Sequence, residues 1–161
     1  MENEHIQGFK RILLPIDGSR ASENTLRYAV SMAIKYNAII YIASIFSSKN
    51  PDSLFKKRIV EMNPNLSKEV EKLPIMYLME TYHGILKNAI SSNEVDVKSV
   101  LIDDEITTKS VVKLLGDVIV KEKIDLLIIS SHGKTGLKKL KLGSVTEKLM
   151  ESVRIPIMCI K

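Results

Sequence analysis

The sequence predicts an α/β fold, a single doubly wound domain in which helices cover both faces of a five-stranded parallel sheet. Three observations lead to this fold class. Short, almost continuously apolar runs, typical of strands buried on both sides, alternate with longer segments of helical periodicity. The repeated order of strand and then helix implies that the strands are parallel. The 161 residues contain no internal repeat or linker, which fits one domain.

The first half of the chain supplies two strands and one clear helix. The apolar run Arg11–Ile16 predicts the first strand, and the periodic segment Ser19–Tyr36 predicts the helix that follows it. The second strand is expected over Ile39–Phe46. The polar stretch Ser47–Leu73 contains two prolines and several charges, so we expect a loop with room for one short helix.

The second half continues the alternation without a long interruption. Apolar residues recur at helical spacing in three segments and form compact apolar runs in three others. The predicted elements are, in order, a helix over Ile75–Ser92, a strand over Asp96–Ile102, a helix from Thr107 or Thr108 to about Glu122, a strand over Ile124–Ile129, a helix over Ser144–Ser152 and a strand over Ile155–Ile160.

Composition narrows the class of protein. The formal charge is +5, but the lysines are spread along the chain and there is no tryptophan to stack on bases, so we expect no nucleic-acid partner. No apolar stretch approaches the roughly 18 residues of a membrane span, and Met1–Lys10 is polar, so we expect a cytoplasmic protein without a membrane partner. The single cysteine, Cys159, excludes a disulfide within the chain.

A loop rich in glycine and lysine joins the predicted fourth strand to the last helix. It runs from Ser130 to Ser144 as SSHGKTGLKKLKLGS. Glycines let a backbone approach a ligand closely, and the free amide groups at a helix start, together with the helix dipole, favour an anion. The composition therefore predicts a cradle for phosphate.

Two common phosphate motifs are excluded. Gly133-Lys134-Thr135 resembles the end of a Walker A motif, but the first glycine of that motif would fall at Ile128, inside the strand. The G-x-G-x-x-G of dinucleotide folds is absent after the first strand, where the chain has Pro15-Ile16-Asp17-Gly18-Ser19. A dinucleotide is therefore not expected.

The two informative segments are expected to meet. In open parallel sheets, ligands bind at the carboxyl ends of the strands where the strand order reverses. If the first and fourth strands are the central neighbours, Pro15-Ile16-Asp17 faces the loop that follows Ile129. One crevice would then contain both segments.

With these segments in view, the sequence from Phe9 to Lys161 resembles the universal stress protein family. The start, KRILLPIDGS over Lys10–Ser19, is similar to the family's K-x-I-L-V-P-x-D-G-S opening. Gly133, nine further residues and Gly143-Ser144 fit the spacing of the family's G-x-x-G, nine residues, G-[ST] signature. The apolar end Ile155–Ile160 resembles its closing strand. We expect the family domain over residues 9–161 and a polar tail over residues 1–8.

The resemblance implies a sheet of order 3-2-1-4-5, Rossmann-like and similar to adenine nucleotide alpha hydrolases. It also implies a homodimer through the C-terminal strand Ile155–Ile160, an unidentified protein partner and a sensor or regulatory role in stress response. One branch of the family binds ATP or AMP, often with Mg2+ held through the phosphates and without protein metal ligands. The positions that match the family's binding residues are Pro15, Ile16, Asp17, Ile45, Ile129, Ser130, Gly133, Gly143, Ser144 and Val145.

One departure from the family pattern keeps an alternative open. Ser130 stands where the signature has its first glycine, and a side chain is poorly tolerated if that backbone needs positive φ or touches the ribose. Its hydroxyl could instead bond a ribose or phosphate oxygen. The alternative function is a nucleotide-free dimer that presents a surface to partners. A third hypothesis is a slow ATPase, although no catalytic residue, water-activating carboxylate or arginine finger can be assigned.

Several site residues also have a purely structural interpretation. Asp17 could simply cap the following helix, and Ser144 could be only an N-cap. His132 has no recognisable nucleophile partner, so we expect it to pack or to form a hydrogen bond within the loop. We expect Gly136 to be a turn residue. The loop lysines are either solvated or in contact with phosphate: Lys134, Lys138, Lys139 and Lys141.

Overall fold

A computed structural model of the chain describes residues 8–132 and 142–161. Strands and helices alternate along these residues, with one short 3-10 turn at Pro64–Leu66. The strands are β1 Arg11–Pro15, β2 Ile39–Phe46, β3 Val97–Asp103, β4 Leu126–Ser130 and β5 Ile157–Ile160. The helices are α1 Arg20–Asn24, α2 Leu26–Tyr36, α3 Ser53–Met62, α4 Ile75–Ser91, α5 Thr108–Lys121 and α6 Ser144–Ser152.

The five strands form one parallel sheet of order β3-β2-β1-β4-β5, which confirms the predicted fold class. β1 is central, and its Leu13 is paired with Tyr41 of β2 on one side and Leu127 of β4 on the other. The strand order reverses between β1 and β4. The carboxyl ends of these two strands therefore define the edge at which a ligand is expected.

The sheet has a separate apolar core on each face because successive side chains of a strand point to opposite sides. Ile40 and Ile42 of β2 contribute to the core under α2, α3 and α4. Tyr41 and Ala43 contribute to the core under α5 and α6. No helix among the described residues has the length and apolar character needed to cross a membrane.

The helix predicted over Ser19–Tyr36 is divided at Thr25. The hydroxyl of Thr25 donates to the carbonyl of Ser22 (2.5 Å), and the Thr25 amide bonds the same carbonyl at 3.2 Å. Short polar side chains that bond nearby carbonyls tighten the turn and compete with the helical ladder. α1 is consequently a separate turn of five residues, held directly beside the end of β1.

The polar stretch Ser47–Leu73 contains one helix of ten residues, α3, where the sequence predicted a loop with room for one short helix. Asp52 caps its N-terminus by accepting from the Leu54 amide at 2.8 Å. Phe55 and Ile59, one helical turn apart, are completely buried. Because the helix exposes many charges and buries only a narrow apolar stripe, its sequence looks like a loop.

Two predicted strands begin two residues later than expected. The Ile124 amide donates to the Ile119 carbonyl at the end of α5. The Asp125 carboxylate accepts from the amides of Lys10 and Arg11. β4 therefore starts at Leu126. β5 starts at Ile157. The residue before it is a proline, which has no amide hydrogen with which to extend the ladder.

One histidine is buried in the core beneath α4. His83 is 1% exposed, and its ring nitrogens contact two serine hydroxyls, Nδ1 with Ser99 Oγ at 2.5 Å and Nε2 with Ser44 Oγ at 2.7 Å. Burial, with a smaller contribution from the charge of Lys87, lowers its pKa to about 4. The ring is therefore neutral in the folded protein at neutral pH.

This burial predicts a loss of stability in mild acid. Unfolding returns the His83 pKa from about 4 to its ordinary value of 6.5, so the unfolded chain binds more protons between these pH values. The contribution of neutral His83 is intact above pH 6.5 and is lost as the pH falls towards 4, by up to about 3 kcal/mol. Urea unfolding of the wild type and of His83→Gln from pH 7 to 4.5 measures the pH dependence of the free energy of unfolding. An equal pH slope for the two proteins would contradict the assignment.

Candidate functional site

A cavity of about 220 Å3 opens at the carboxyl ends of β1 and β4, where the strand order reverses. It brings together nearly all of the residues that the sequence predicted for the site. Gly133 lies outside the described residues. The predicted residues that line the cavity are Pro15, Ile16, Asp17, Ile45, Ile129, Ser130, Gly143, Ser144 and Val145.

Aliphatic side chains form most of the cavity wall. Ile45 and Ile129 come from β2 and β4, and both pack into the core beneath α5 and α6. Val111 and Leu115 face the cavity from the first two turns of α5. These residues create an apolar slot between the sheet and α5 that suits a flat, weakly polar ring.

Asp17 follows β1 and organises the turn into α1. Its Oδ1 accepts from the Ser19 amide at 2.9 Å and from the Ser19 hydroxyl at 2.5 Å. The N-cap of α1 is Ser19, whose Oγ accepts from the Ser22 amide. The alternative interpretation of Asp17 as the helix cap is therefore wrong. Asp17 Oδ2 accepts no hydrogen bond from the described residues and is available to a ligand.

The turn after Asp17 depends on a glycine and on α3. Gly18 has φ +84°, in the left-handed region, and a Cβ placed there would lie 2.9 Å from Cδ1 of Phe55. Phe55 is completely buried and packs edge-on against Tyr82, with ring centroids 5.7 Å apart. α3 therefore holds the turn from beneath through direct contact with its backbone.

A small ionic cluster fixes α1 against the same helix. Arg58 on α3 pairs with Glu23 on α1 at 2.8 Å, and the Tyr82 hydroxyl donates to the same carboxylate at 2.6 Å. Burial lowers the pKa of Arg58, but its hydrogen bonds and ion pairs with Glu23 and Glu61 outweigh burial and raise this pKa overall. Burial and the hydrogen bond to Glu23 raise the pKa of Tyr82 well above its usual range. Arg58 therefore stays charged and Tyr82 stays protonated at neutral pH, so both keep their hydrogen bonds to the Glu23 carboxylate.

Ser130 is accommodated without backbone strain. It is the last residue of β4 and pairs with Ile160 of β5, and positive φ among the described non-glycine residues occurs at Asn37, Glu94 and Lys123. Its hydroxyl donates to the His132 carbonyl at 2.7 Å, and its carbonyl accepts from Thr146 Oγ1 at 2.9 Å. A glycine is therefore not required at this position.

The N-terminus of α6 lies beside the end of β4. The N-cap is Gly143, whose amide donates to the Ser131 carbonyl at 2.7 Å, and Ser144 is the first helical residue. The interpretation of Ser144 as the cap is therefore wrong. Its hydroxyl instead lies 3.2 Å from that of Thr108 on α5. Since Gly143 has no side chain with which to cap, the first amides of α6 are left to solvent or to a ligand.

His132 forms a local hydrogen bond, as the sequence suggested. Its Nδ1 lies 2.7 Å from the Ser131 hydroxyl. Gly136 and the four loop lysines, for which turn and phosphate roles were considered, lie outside the described residues. In residues 8–132 and 142–161, no three His, Cys, Asp or Glu side chains are grouped to hold a metal ion.

The geometry fits a ligand with two different ends. The aliphatic slot favours a flat ring system. Asp17 Oδ2 and the hydroxyls favour a polar portion, and the start of α6 favours an anionic one. Residues 8–161 match the sequence profile of the Universal stress protein family. The chain belongs to this family.

Curated members of the family align with almost the whole chain. Universal stress protein MJ0531 of Methanocaldococcus jannaschii is 26% identical over 161 residues, which cover 95% of this chain and 82% of that protein. Universal stress protein MJ0577 of the same organism is 26% identical over 164 residues, with 95% of each protein covered.

Solved structures share the fold. That of MJ0577 superimposes with a TM-score of 0.68 at 22% identity, covering 95% of this chain and 96% of that one. A universal stress protein of Archaeoglobus fulgidus in complex with dAMP gives 0.57 at 14% identity, covering 97% and 100%. A universal stress protein in complex with cAMP gives 0.61 at 16% identity, covering 95% and 97%. At these identities the likeness establishes the fold.

The sequence did not identify every residue of this family member's cavity. Val111 and Leu115 were not named for the site because helical periodicity marks the apolar face but not the part of it that stays uncovered. Thr146 follows Ser144 in the same motif and could have been found from it. The remaining cavity residues gave no local signal in the sequence: Ser22, Ala43 and Ile106.

The Gly18 contact predicts a specific loss of stability. Gly18→Ala forces a Cβ against Phe55 and a side chain into positive φ, so we expect the free energy of unfolding to fall by about 1–2 kcal/mol. Gly116→Ala is the matched control, since its added Cβ meets no atom within 4 Å on α5 and should stabilise by about 0.5–1 kcal/mol. Chemical denaturation measures both variants. Equal effects would show that the turn at Gly18 is not constrained.

Proposed function

We propose that this protein is an adenine-nucleotide-binding regulator that binds ATP or AMP in the cavity between β1 and β4 and reports nucleotide state in a stress response. The observation that carries the proposal is the convergence of the Asp17 turn and the start of α6 on one cavity with an apolar slot. Universal stress proteins of the same fold have been solved with dAMP and with cAMP, which supports an adenine nucleotide as the ligand class.

Each part of the nucleotide has a matching region of the cavity. The adenine ring would lie in the slot between Ile45, Ile129 and the α5 side chains, where burial of the ring faces removes apolar surface from water. Asp17 Oδ2 would accept from a ribose hydroxyl or from the adenine amino group. The phosphates would lie at the first amides of α6, where the helix dipole favours negative charge.

A magnesium ion would reach this site with the nucleotide. Mg2+ is commonly bound through substrate phosphates and few protein carboxylates. Among the described residues that line the cavity, Asp17 is the single carboxylate, and half of it is already engaged with Ser19. If Asp17 Oδ2 accepts from the nucleoside, no second carboxylate among these lining residues is left to activate water, which favours a regulator over an ATPase.

The proposal predicts saturable ATP binding that depends on Asp17. Isothermal titration with Mg-ATP should give a single site per chain, and Asp17→Asn should weaken binding roughly tenfold because a charged acceptor is replaced by an amide. Asp117→Asn is the control, since this exposed aspartate lies outside the cavity wall and pairs with Lys113 on the surface of α5. Its affinity should match the wild type.

The outcomes of the titration separate the candidate functions. No saturable binding of ATP or AMP at millimolar concentration would overturn the proposal and favour the nucleotide-free interaction protein. Phosphate release above a buffer blank that disappears in Asp17→Asn would favour the slow ATPase. GTP in the same titration tests the base, because a site selective for adenine should bind it more weakly.

We further propose that the protein is a homodimer through β5. The sheet has two edge strands, and they differ in character. β3 exposes Lys98 and Ser99, the kind of polar edge that discourages pairing, whereas β5 has the apolar sequence Ile-Met-Cys-Ile and is only half-buried in the single chain. A second copy would cover the apolar edge.

Light scattering at micromolar concentration tests the assembly. We expect twice the 18.1 kDa mass of the chain for the wild type and a mixture with monomer for Ile157→Lys, which places a charge on β5. Ile34→Lys, at a position 59% exposed on α2, should remain dimeric. A monomeric wild type would contradict the proposal.

A further inference from the structure

A chain of hydrogen bonds between two serine hydroxyls and one imidazole links the β3 edge of the sheet to the floor of the cavity. Ser99 on β3 contacts His83, His83 contacts Ser44 on β2, and the Ser44 hydroxyl donates to the carbonyl of Ile16 at 2.6 Å. Ser44 and His83 are each 1% exposed. Neither residue belongs to the cavity wall, yet the chain ends on Ile16, which does.

The donors in this chain all point towards the cavity. Ser44 has one hydroxyl hydrogen, which is given to the Ile16 carbonyl, so its oxygen must accept from Nε2–H of His83. Nδ1 of the neutral ring then has no hydrogen and accepts from the Ser99 hydroxyl. The contacts therefore require the Nε2–H tautomer. In the opposite tautomer, Nε2 would compete for the Ser44 hydrogen and leave the Ile16 carbonyl unsatisfied.

The carbonyl that receives this chain lies where β1 and β2 part. Their pairing runs from Arg11 with Ile39 to Pro15 with Ala43, and the Ile16 amide still bonds the Ala43 carbonyl at 2.8 Å. The next rung of a parallel ladder would join the Ile45 amide to the Ile16 carbonyl. The Ser44 hydroxyl occupies that carbonyl instead. The two strands can therefore separate at the cavity without leaving a buried carbonyl unpaired.

We propose that Ser44, oriented by His83 and Ser99, is a positioning residue of the nucleotide site that fixes the Ile16 carbonyl and, through it, the neighbouring Asp17. This inference rests on the proposed function and adds a control point on the opposite face of the sheet from the ligand. Each polar side-chain atom of Ser44 and His83 has a hydrogen-bond partner, so this series of hydrogen bonds holds one geometry.

Variants at Ser44 separate positioning from stability. Ser44→Ala removes the donor and should weaken ATP binding roughly tenfold, whereas Ser44→Thr keeps the hydroxyl and should stay within about threefold of the wild type. Ile40→Val is the matched control, because this completely buried residue lies at the opposite end of β2 and its truncation should lower stability alone. Equal ATP affinity in Ser44→Ala and the wild type would overturn the proposal.

A second measurement is made on the wild-type protein, and His83→Gln serves only to assign its resonance. Long-range 1H–15N NMR at pH 7 should show His83 as the Nε2–H tautomer, with the resonance assigned by its absence in His83→Gln. Observation of the Nδ1–H tautomer would overturn the proposed direction of these hydrogen bonds, whatever the nucleotide data show. If the wild type binds no ATP, both the proposed function and the positioning role of Ser44 fail. If the wild type binds ATP and Ser44→Ala binds it equally well, the proposed function stands and only the positioning role fails.

Discussion

The site depends on one constraint, the central place of β1 between two parallel neighbours. Because β1 pairs with β2 on one side and β4 on the other, the chain segments that leave β1 and β4 emerge at the same edge of the sheet. The Asp17 turn and the start of α6 are 127 positions apart in sequence from Asp17 to Ser144, yet both open onto one cavity. Any change that displaced β1 from the centre would separate them.

Features that repeat along the chain could be predicted from the sequence, and features decided by a single contact could not. Continuous apolar runs gave the strands, and the family signatures placed most of the site. The break at Thr25 could not be predicted, because it comes from one hydroxyl taking the Ser22 carbonyl. The bounds and contacts of α3 could not be predicted for a related reason: only Phe55 and Ile59 of this helix are buried, and its partners Gly18 and Tyr82 lie far away in sequence.

The departure at Ser130 shows why a motif position must be judged by its backbone. A glycine is indispensable only where φ is positive or where a side chain would collide. Ser130 is the last residue of β4 and its hydroxyl donates to the His132 carbonyl, so serine is compatible with the fold. At Gly18 the opposite holds, since positive φ and the Phe55 ring both exclude a side chain. In this chain the backbone therefore requires a glycine at position 18 but not at position 130.

The cavity lies on the α5 side of the sheet, and it is supported from the opposite side. Phe55 and Arg58 on α3 hold the Gly18 turn and α1, and Ser44 holds the Ile16 carbonyl through a hydrogen bond that α4 orients. A rigid parallel sheet transmits such support because a shift of Ile16 on one face moves Asp17 on the other. If the cavity binds a nucleotide as proposed, substitutions beneath the sheet should alter its affinity without altering a contact to it.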